Sequence, residues 1–426
     1  MKEKIFNIIS LVFIICFISY FSFRVYNAYK ISTKIIDDTY ITDRLINSIS
    51  KYDTNNPLNK YNDEYIFIGK VNNNYLKYQG YLWRIIKINS NNELVLILDE
   101  TLTYLPNNTS LHWLNSNNEF TINYELLNNT TQCIDRFDNI DNSSCNDNNN
   151  DYIVGQLSID DYIKIGGNKS YLNNGTNFWT SNIYDDNNSW YISENGLISY
   201  SNNNIKHGIR PIITLKSNIE LIDGNGTIDN PYIIEERNIK TLKDTLQGEY
   251  ISYNNEIWRI IYNRNNSIKI INTDYIKINN KNIEYFFDDK TNQIDTSKLI
   301  TYLNTSYLKK LSNKEYLIKG YFYTGIYYKD NTNYTDSYKT KIINYVGIPS
   351  INEPYIYDLD NIFLSNPSNI DNLTIYSINN NNLYEDSISS IRYIRPTLYL
   401  KDTINISSGN GTIDNPYILG GLNATN

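Results

Sequence analysis

A ten-residue string occurs twice in this chain, letter for letter. Gly224-Asn225-Gly226-Thr227-Ile228-Asp229-Asn230-Pro231-Tyr232-Ile233 recurs as Gly409 through Ile418, an offset of 185 (409 − 224). Internal repetition constrains architecture before any other pattern, because each copy has to be one folding unit. Upstream, Ile209-Arg210-Pro211 matches Ile394-Arg395-Pro396, and Trp83-Arg84-Ile85-Ile86 matches Trp258-Arg259-Ile260-Ile261. Trp113-Leu114-Asn115 matches Tyr302-Leu303-Asn304, and Val154-Gly155 followed by Ser158-Ile159 matches Val346-Gly347 followed by Ser350-Ile351. Anchors in one unbroken order define two repeat units, residues 65–235 and 245–419.

Each unit opens with strand patterning. Tyr81–Ile88, an Asn-rich turn and Leu94–Leu98 read as a hairpin, and Ile257–Tyr262 with Ile268–Ile271 repeats it. Ser158-Ile159-Asp160-Asp161 and Ser350-Ile351-Asn352-Glu353 fit helix-capping boxes. Each unit closes with a strand, Ile209–Leu215 or Ile394–Leu400, a Gly-rich turn and a short terminal strand.

Residues 5–23 carry no charge, and nineteen residues at about 1.5 Å each nearly cross a bilayer core. No small-x-small cleavage pattern follows them, so residues 1–24 are expected to be an uncleaved single-pass signal anchor. Ile31, Ile35, Ile36, Ile41, Leu45, Ile46 and Ile49 recur at helical spacing. This stripe predicts a stalk helix within the linker 25–62 that packs back on the first unit, while residues 420–426 form a tail.

Composition narrows the function classes. With 41 Tyr and only 20% charged residues the chain has the apolar surface for real cores. A net charge of −8 disfavours nucleic acid, which needs a basic surface. Three Cys and two His give no zinc-type cluster, and no cofactor is expected. The Asp223–Asp229 loop looks superficially like a calcium loop, but the first and twelfth positions of an EF-hand fall on Leu221 and Tyr232. A tight glycine turn is the simpler account.

The order Trp-Arg-Ile-Ile, Val-Gly-x-Leu-Ser, Phe-Trp-Thr-Ser, Arg-Pro-Ile-Ile-x-Leu and Gly-x-Gly-Thr-x-x-Asn-Pro-Tyr resembles an uncharacterised domain family. That family occurs in surface proteins of low-GC Gram-positive bacteria, often anchored by one N-terminal helix. Its pattern is in turn similar to the C-type-lectin-like superfold, which also hosts formylglycine-generating enzymes and bacterial surface-binding modules. The resemblance implies an α+β chain: an N-terminal transmembrane helix followed by two tandem, strand-rich C-type-lectin-like domains, with the bulk extracellular. Phe178–Ser181 and Trp190 of the first unit then compare with Leu373–Ser377 and Leu383 of the second, which lacks the tryptophans.

Trp179, Trp190, Tyr184 and Tyr191 are the candidate aromatic platform for a ligand, against the alternative of core filling. Arg210, repeated as Arg395, offers a planar fork for a carboxylate or sugar acid, or else ties the closing strand into the core. Cys133 and Cys145 close a short loop that an oxidising compartment would bridge. His112 and His207 are expected to be satisfied at the surface, and nothing places a nucleophile beside either. The expected function is a membrane-anchored cell-surface binding or adhesion protein for a glycan or protein. The alternatives are a spacer without a ligand site, and an envelope hydrolase using Asp160, Asp161 or Asp185 as acid and base.

Overall fold

A computed structural model describes residues 40–48, 57–116, 120–134, 148–149, 152–235, 237–326, 339–380 and 382–422. Alternating and continuous apolar runs become strands, and the two repeat units adopt one topology. In the first, the main sheet runs in the order Tyr232–Ile233, Tyr75–Tyr78, Tyr81–Ile88, Leu94–Leu98, Ile212–Leu215, Val154–Gly155. The second repeats it as Tyr417–Leu422, Tyr250–Tyr253, Glu256–Arg264, Ser267–Asn272, Thr397–Lys401, Val346–Gly347. The pair joining the closing strand to the opening one is parallel in both.

A second, five-stranded sheet lies against each main sheet. Its order is Ile198–Asn202, Asn188–Ile192, Phe178–Ile183, Lys206–Gly208, Tyr104–Pro106 in the first copy. It is Asn382–Ser387, Thr374–Asn379, Ile362–Pro367, Ile391–Tyr393, Glu284–Phe286 in the second. Both contain one parallel pair, with Phe178 opposite Gly208 and Ile362 opposite Tyr393.

The repeated anchors do the same jobs twice. Asn115 Nδ2 donates to Val154 O (2.9 Å) while Val154 N donates back to Asn115 Oδ1 (3.2 Å). Asn304 does the same to Val346 at 2.8 and 3.1 Å. The duplicated turn needs glycine for a steric reason: a Cβ at Gly224 would lie 2.0 Å from Pro231 O, and one at Gly409 2.1 Å from Pro416 O. At Ser158 the cap forms, its hydroxyl accepting from Asp161 N, and the helix Ile159–Lys164 follows. At Ser350 no α-helix follows; Glu353 Oε2 only accepts from Ser350 N at 3.1 Å. Pro354 explains the failure, since it disfavours helical geometry in the residue before it.

The copies are joined head to tail through one continuous apolar core that includes Trp83, Trp113 and Leu102 of the first and Ile261, Ile362 and Tyr376 of the second. Trp113 Nε1 donates to Asn352 O (3.3 Å), and Tyr355 N donates to Leu102 O (2.9 Å). Gln247 bridges the copies, accepting from Thr121 N (2.8 Å) and the Tyr81 hydroxyl and donating to Ile261 O (2.7 Å). The first copy supplies an equivalent partner from its own opening segment: Tyr171 N donates to Gly69 O (2.9 Å) and Arg84 Nη2 to Val71 O (2.5 Å). Segment 69–71 thus occupies on the first copy the place that residues 100–102 occupy on the second.

The expected class needs correcting. Among the described residues no helix is long and apolar enough to cross a membrane, and the longest described α-helix, Asn107–Asn115, has 9 residues. The described residues are mainly β with several sheets, which corrects the α+β class expected for a transmembrane helix followed by C-type-lectin-like domains. Residues 5–23, where the span was expected, lie outside the described residues. Of the expected stalk, Ile41–Ser48 is helical, and Ile41 and Leu45 are buried in the shared core. The rest of the stripe, from Ile31 to Ile36 and at Ile49, is outside the described residues.

Candidate functional site

Strand alternation splits the expected aromatic platform in two. Trp190 and Tyr200 are directly paired across Asn188–Ile192 and Ile198–Asn202, on the opposite face from Tyr191. Tyr184, just past Phe178–Ile183, stacks on Tyr200 (4.0 Å between centroids, 9°), and Trp190 meets both edge-on at 5.1 and 5.6 Å. Tyr184 and Trp190 are half-buried, whereas Tyr200 is 52% exposed. Asp185 shapes the adjoining turn by accepting from Asn187 N and Asn188 N, both at 2.9 Å. The result is a three-ring surface cluster flanked by asparagines, able to stack on an apolar ligand face and hydrogen-bond its rim. Tyr200 escaped sequence reading, although the alternation of Ile198, Tyr200 and Asn202 opposite Trp190 was the available signal.

The other half of the platform is core. Trp179 is 1% exposed, and its Nε1 donates to Leu105 O at 2.7 Å. Tyr191 stacks on His207 (3.8 Å, 11°), and Trp179 lies edge-on to the same ring at 4.5 Å. His207 is therefore buried rather than at the surface; its Nε2 shares a 2.8 Å hydrogen bond with Ser201, and among the described residues Nδ1 has no hydrogen-bond partner. Burial pushes its pKa from 6.5 down to about 4.

The unfolded chain binds a proton at His207 below pH 6.5 and the folded chain does not, so stability present above 6.5 is lost as pH falls toward 4. The loss amounts to about 3 kcal/mol. In His207→Phe, which keeps the stack and removes the titration, the stability slope between pH 6.5 and 4.5 should fall by one proton. Urea melts at the two pH values measure it, and equal slopes in both proteins would refute the assignment.

The second copy shows how those positions are used without the tryptophans. Strand pairing sets Phe178–Ser181 against Ile362–Ser365, and Trp190 against Tyr376. This replaces the comparison with Leu373–Ser377 and Leu383 that sequence order suggested. Asn182 Oδ1 accepts from Ile159 N (2.7 Å) and Asn366 Oδ1 from Ile351 N (2.8 Å), which fixes the same register independently. Tyr376 is fully buried between the copies, so only the first copy presents the cluster. The Ser201–His207 contact is matched by an ion pair, Arg392 to Asp386 at 2.5 Å.

Arg210 is 2% exposed, donating Nε to Leu98 O (3.0 Å) and Nη1 to Leu172 O (2.8 Å); Arg395 makes the equivalent bonds to Asn272 O and Tyr355 O. Burial pulls both guanidiniums down to about 10. Their geometry is that of a clamp on the closing strand. Arg84 lies between Tyr75 and Tyr171, 3.8 and 4.7 Å from the ring centroids, and Arg259 lies 3.5 Å over Tyr355.

The candidate acids are engaged. Lys164 holds Asp160 at 2.6 Å, and Lys87 holds Asp161 at 2.8 Å. Burial works to raise the Asp161 carboxyl, but Lys87, Lys164 and the Ser158 hydroxyl together hold it below the usual carboxylate range. Cys133 is disulfide-bonded; Cys145, its expected partner, lies outside the described residues. Compared with protein-family models, with curated proteins and with solved structures, the chain finds no match in any of the three.

Proposed function

We propose that the chain is a binding module that works in an oxidising, extracellular compartment and recognises a glycan through Tyr184, Trp190 and Tyr200. The carrying observation is the Tyr184–Trp190–Tyr200 cluster, with Tyr200 52% exposed on a rigid two-sheet scaffold. Aromatic rings with an apolar body and a polar tip suit sugar stacking, and asparagines at the rim suit hydroxyls. The disulfide at Cys133 supports the compartment. A second reading, a rigid spacer, is favoured by the continuous core that joins the two copies.

A glycan and envelope-polymer binding screen on the intact chain separates the two. Tyr200→Ala and Trp190→Ala should each weaken binding about tenfold or more while thermal melting stays close to the parent for Tyr200→Ala. Failure of the parent to bind any glycan would overturn the glycan reading and leave the spacer.

A further inference from the structure

We propose that the groove between the two copies binds a short zwitterionic ligand of the dipeptide or tripeptide class, its carboxylate on Lys77 and its ammonium toward Asp99 and Asp229. Two cavities of about 520 and about 430 Å³ share Lys77, Gly80, Ile233 and Asn410, and so form one trench. Its walls are the two copies of the ten-residue turn: Ile228, Asp229 and Pro231 on one side, Gly409 to Ile413 on the other. The duplicated sequence therefore converges on a single place. A concavity of a few hundred Å³ with a small number of convergent polar groups is the usual form of a small-ligand site.

The charges along the trench are unequal in how they are used. At one end Arg237 and Glu249 satisfy each other at 2.5 Å, and the Tyr417 hydroxyl donates to Glu249 at 3.1 Å. At the other end Arg259 is bound to Glu100. Lys77, which borders both cavities, is different. Its ammonium makes one long hydrogen bond, 3.4 Å to Asn410 O, and among the described residues no carboxylate lies within 4.0 Å of it. Burial pulls this ammonium below the usual lysine range, against the opposing pull of Glu249. An ammonium partly withdrawn from water with donors to spare is an anchor for an incoming carboxylate.

The opposite charge is equally in place. Among the described residues Asp99 forms an ion pair with Arg84 alone, at 3.8 Å, with 31% of its side chain exposed, and Asp229 is exposed on the facing turn. Lys77, Arg237 and Arg259 stand against Asp99, Glu100, Asp229, Glu235 and Glu249, so carboxylates outnumber cations along the trench. That excess repels a purely anionic ligand and selects one carrying a cation at its other end.

Isothermal titration of the intact chain with alanyl-alanine and trialanine, each also as its N-acetyl and its C-amide form, tests the assignment. The free peptides should bind, and blocking either terminus should weaken binding at least tenfold. Lys77→Gln should weaken the free peptides at least tenfold and abolish discrimination against the amide, while Lys77→Arg retains both. Asp99→Asn combined with Asp229→Asn should abolish discrimination against the acetyl form. No binding by the parent, equal binding of blocked and free peptides, or full binding by Lys77→Gln overturns the proposal. The peptide titration reads the groove and the glycan screen reads the aromatic cluster, so the two proposals fail separately.

Discussion

Replacing Glu353 by alanine should cost about 3–5 kcal/mol of folding stability, the usual penalty for leaving one buried charge without its partner. Glu353 and Lys269 form an ion pair in which both side chains are 0% exposed. Lys269 sits among Phe322, Tyr399 and Tyr262 with ring centroids at 4.9, 5.3 and 5.8 Å, so removing the carboxylate leaves a charge buried among rings without its hydrogen-bonding partner. The first copy makes the same bond from the neighbouring strand. There Lys87 holds Asp161, the counterpart of Glu353 in the second copy, and Lys87 is paired across the sheet with Val95. In the second copy Tyr262 stands opposite Lys269, after the same strand irregularity.

The cation has thus changed strands while the ion pair has kept its place. Lys269→Val alone should be as damaging as Glu353→Ala. Lys269→Val with Tyr262→Lys copies the first unit's arrangement and should recover most of the loss. Guanidinium denaturation midpoints of the four proteins decide it. A Glu353→Ala protein within about 0.5 kcal/mol of the parent would refute the pair's role, as would a double variant no better than Lys269→Val.

Trp113→Ala should produce the second large effect, about 3–5 kcal/mol, because a fully buried indole is removed from a core that cannot close around the gap. Trp113 is 0% exposed, lies in the core common to both copies and donates to Asn352 O. The damage should therefore reach both copies: one cooperative transition at lower denaturant, seen alike by far-ultraviolet dichroism and tryptophan fluorescence. The counterpart Tyr302→Ala removes a half-buried ring and should cost only about 1 kcal/mol. Two separate transitions in Trp113→Ala, with the second copy at its parental midpoint, would show that the shared core does not couple the copies.

Much of the scaffold was legible from residues alone. The strands Tyr81–Ile88 and Leu94–Leu98, the cap at Ser158 and the glycine turns are local events, governed by patterning and sterics within a few residues. The candidate site was half legible. Trp190 and Tyr184 were found, but Trp179 and Tyr191 belong to the opposite face, packed with His207, and Tyr200 was overlooked. Composition marks an aromatic as useful to a core or to a ligand, and only the pairing register says which face it takes.

By itself the sequence determined that there are two copies, in what order their anchors fall and where glycine is indispensable, because repetition and local sterics are written in the chain. Tertiary structure decided that the copies share one core, that Tyr376 rather than Leu383 answers Trp190, that an ion pair changed strands between copies, and that both copies of one turn line a single groove. Those outcomes depend on strand register and on contacts between residues far apart in the chain, such as Lys269 with Glu353 at a separation of 84 and Trp113 with Asn352 at 239. Unequal loops shift the offset between the copies, so spacing alone could not place them.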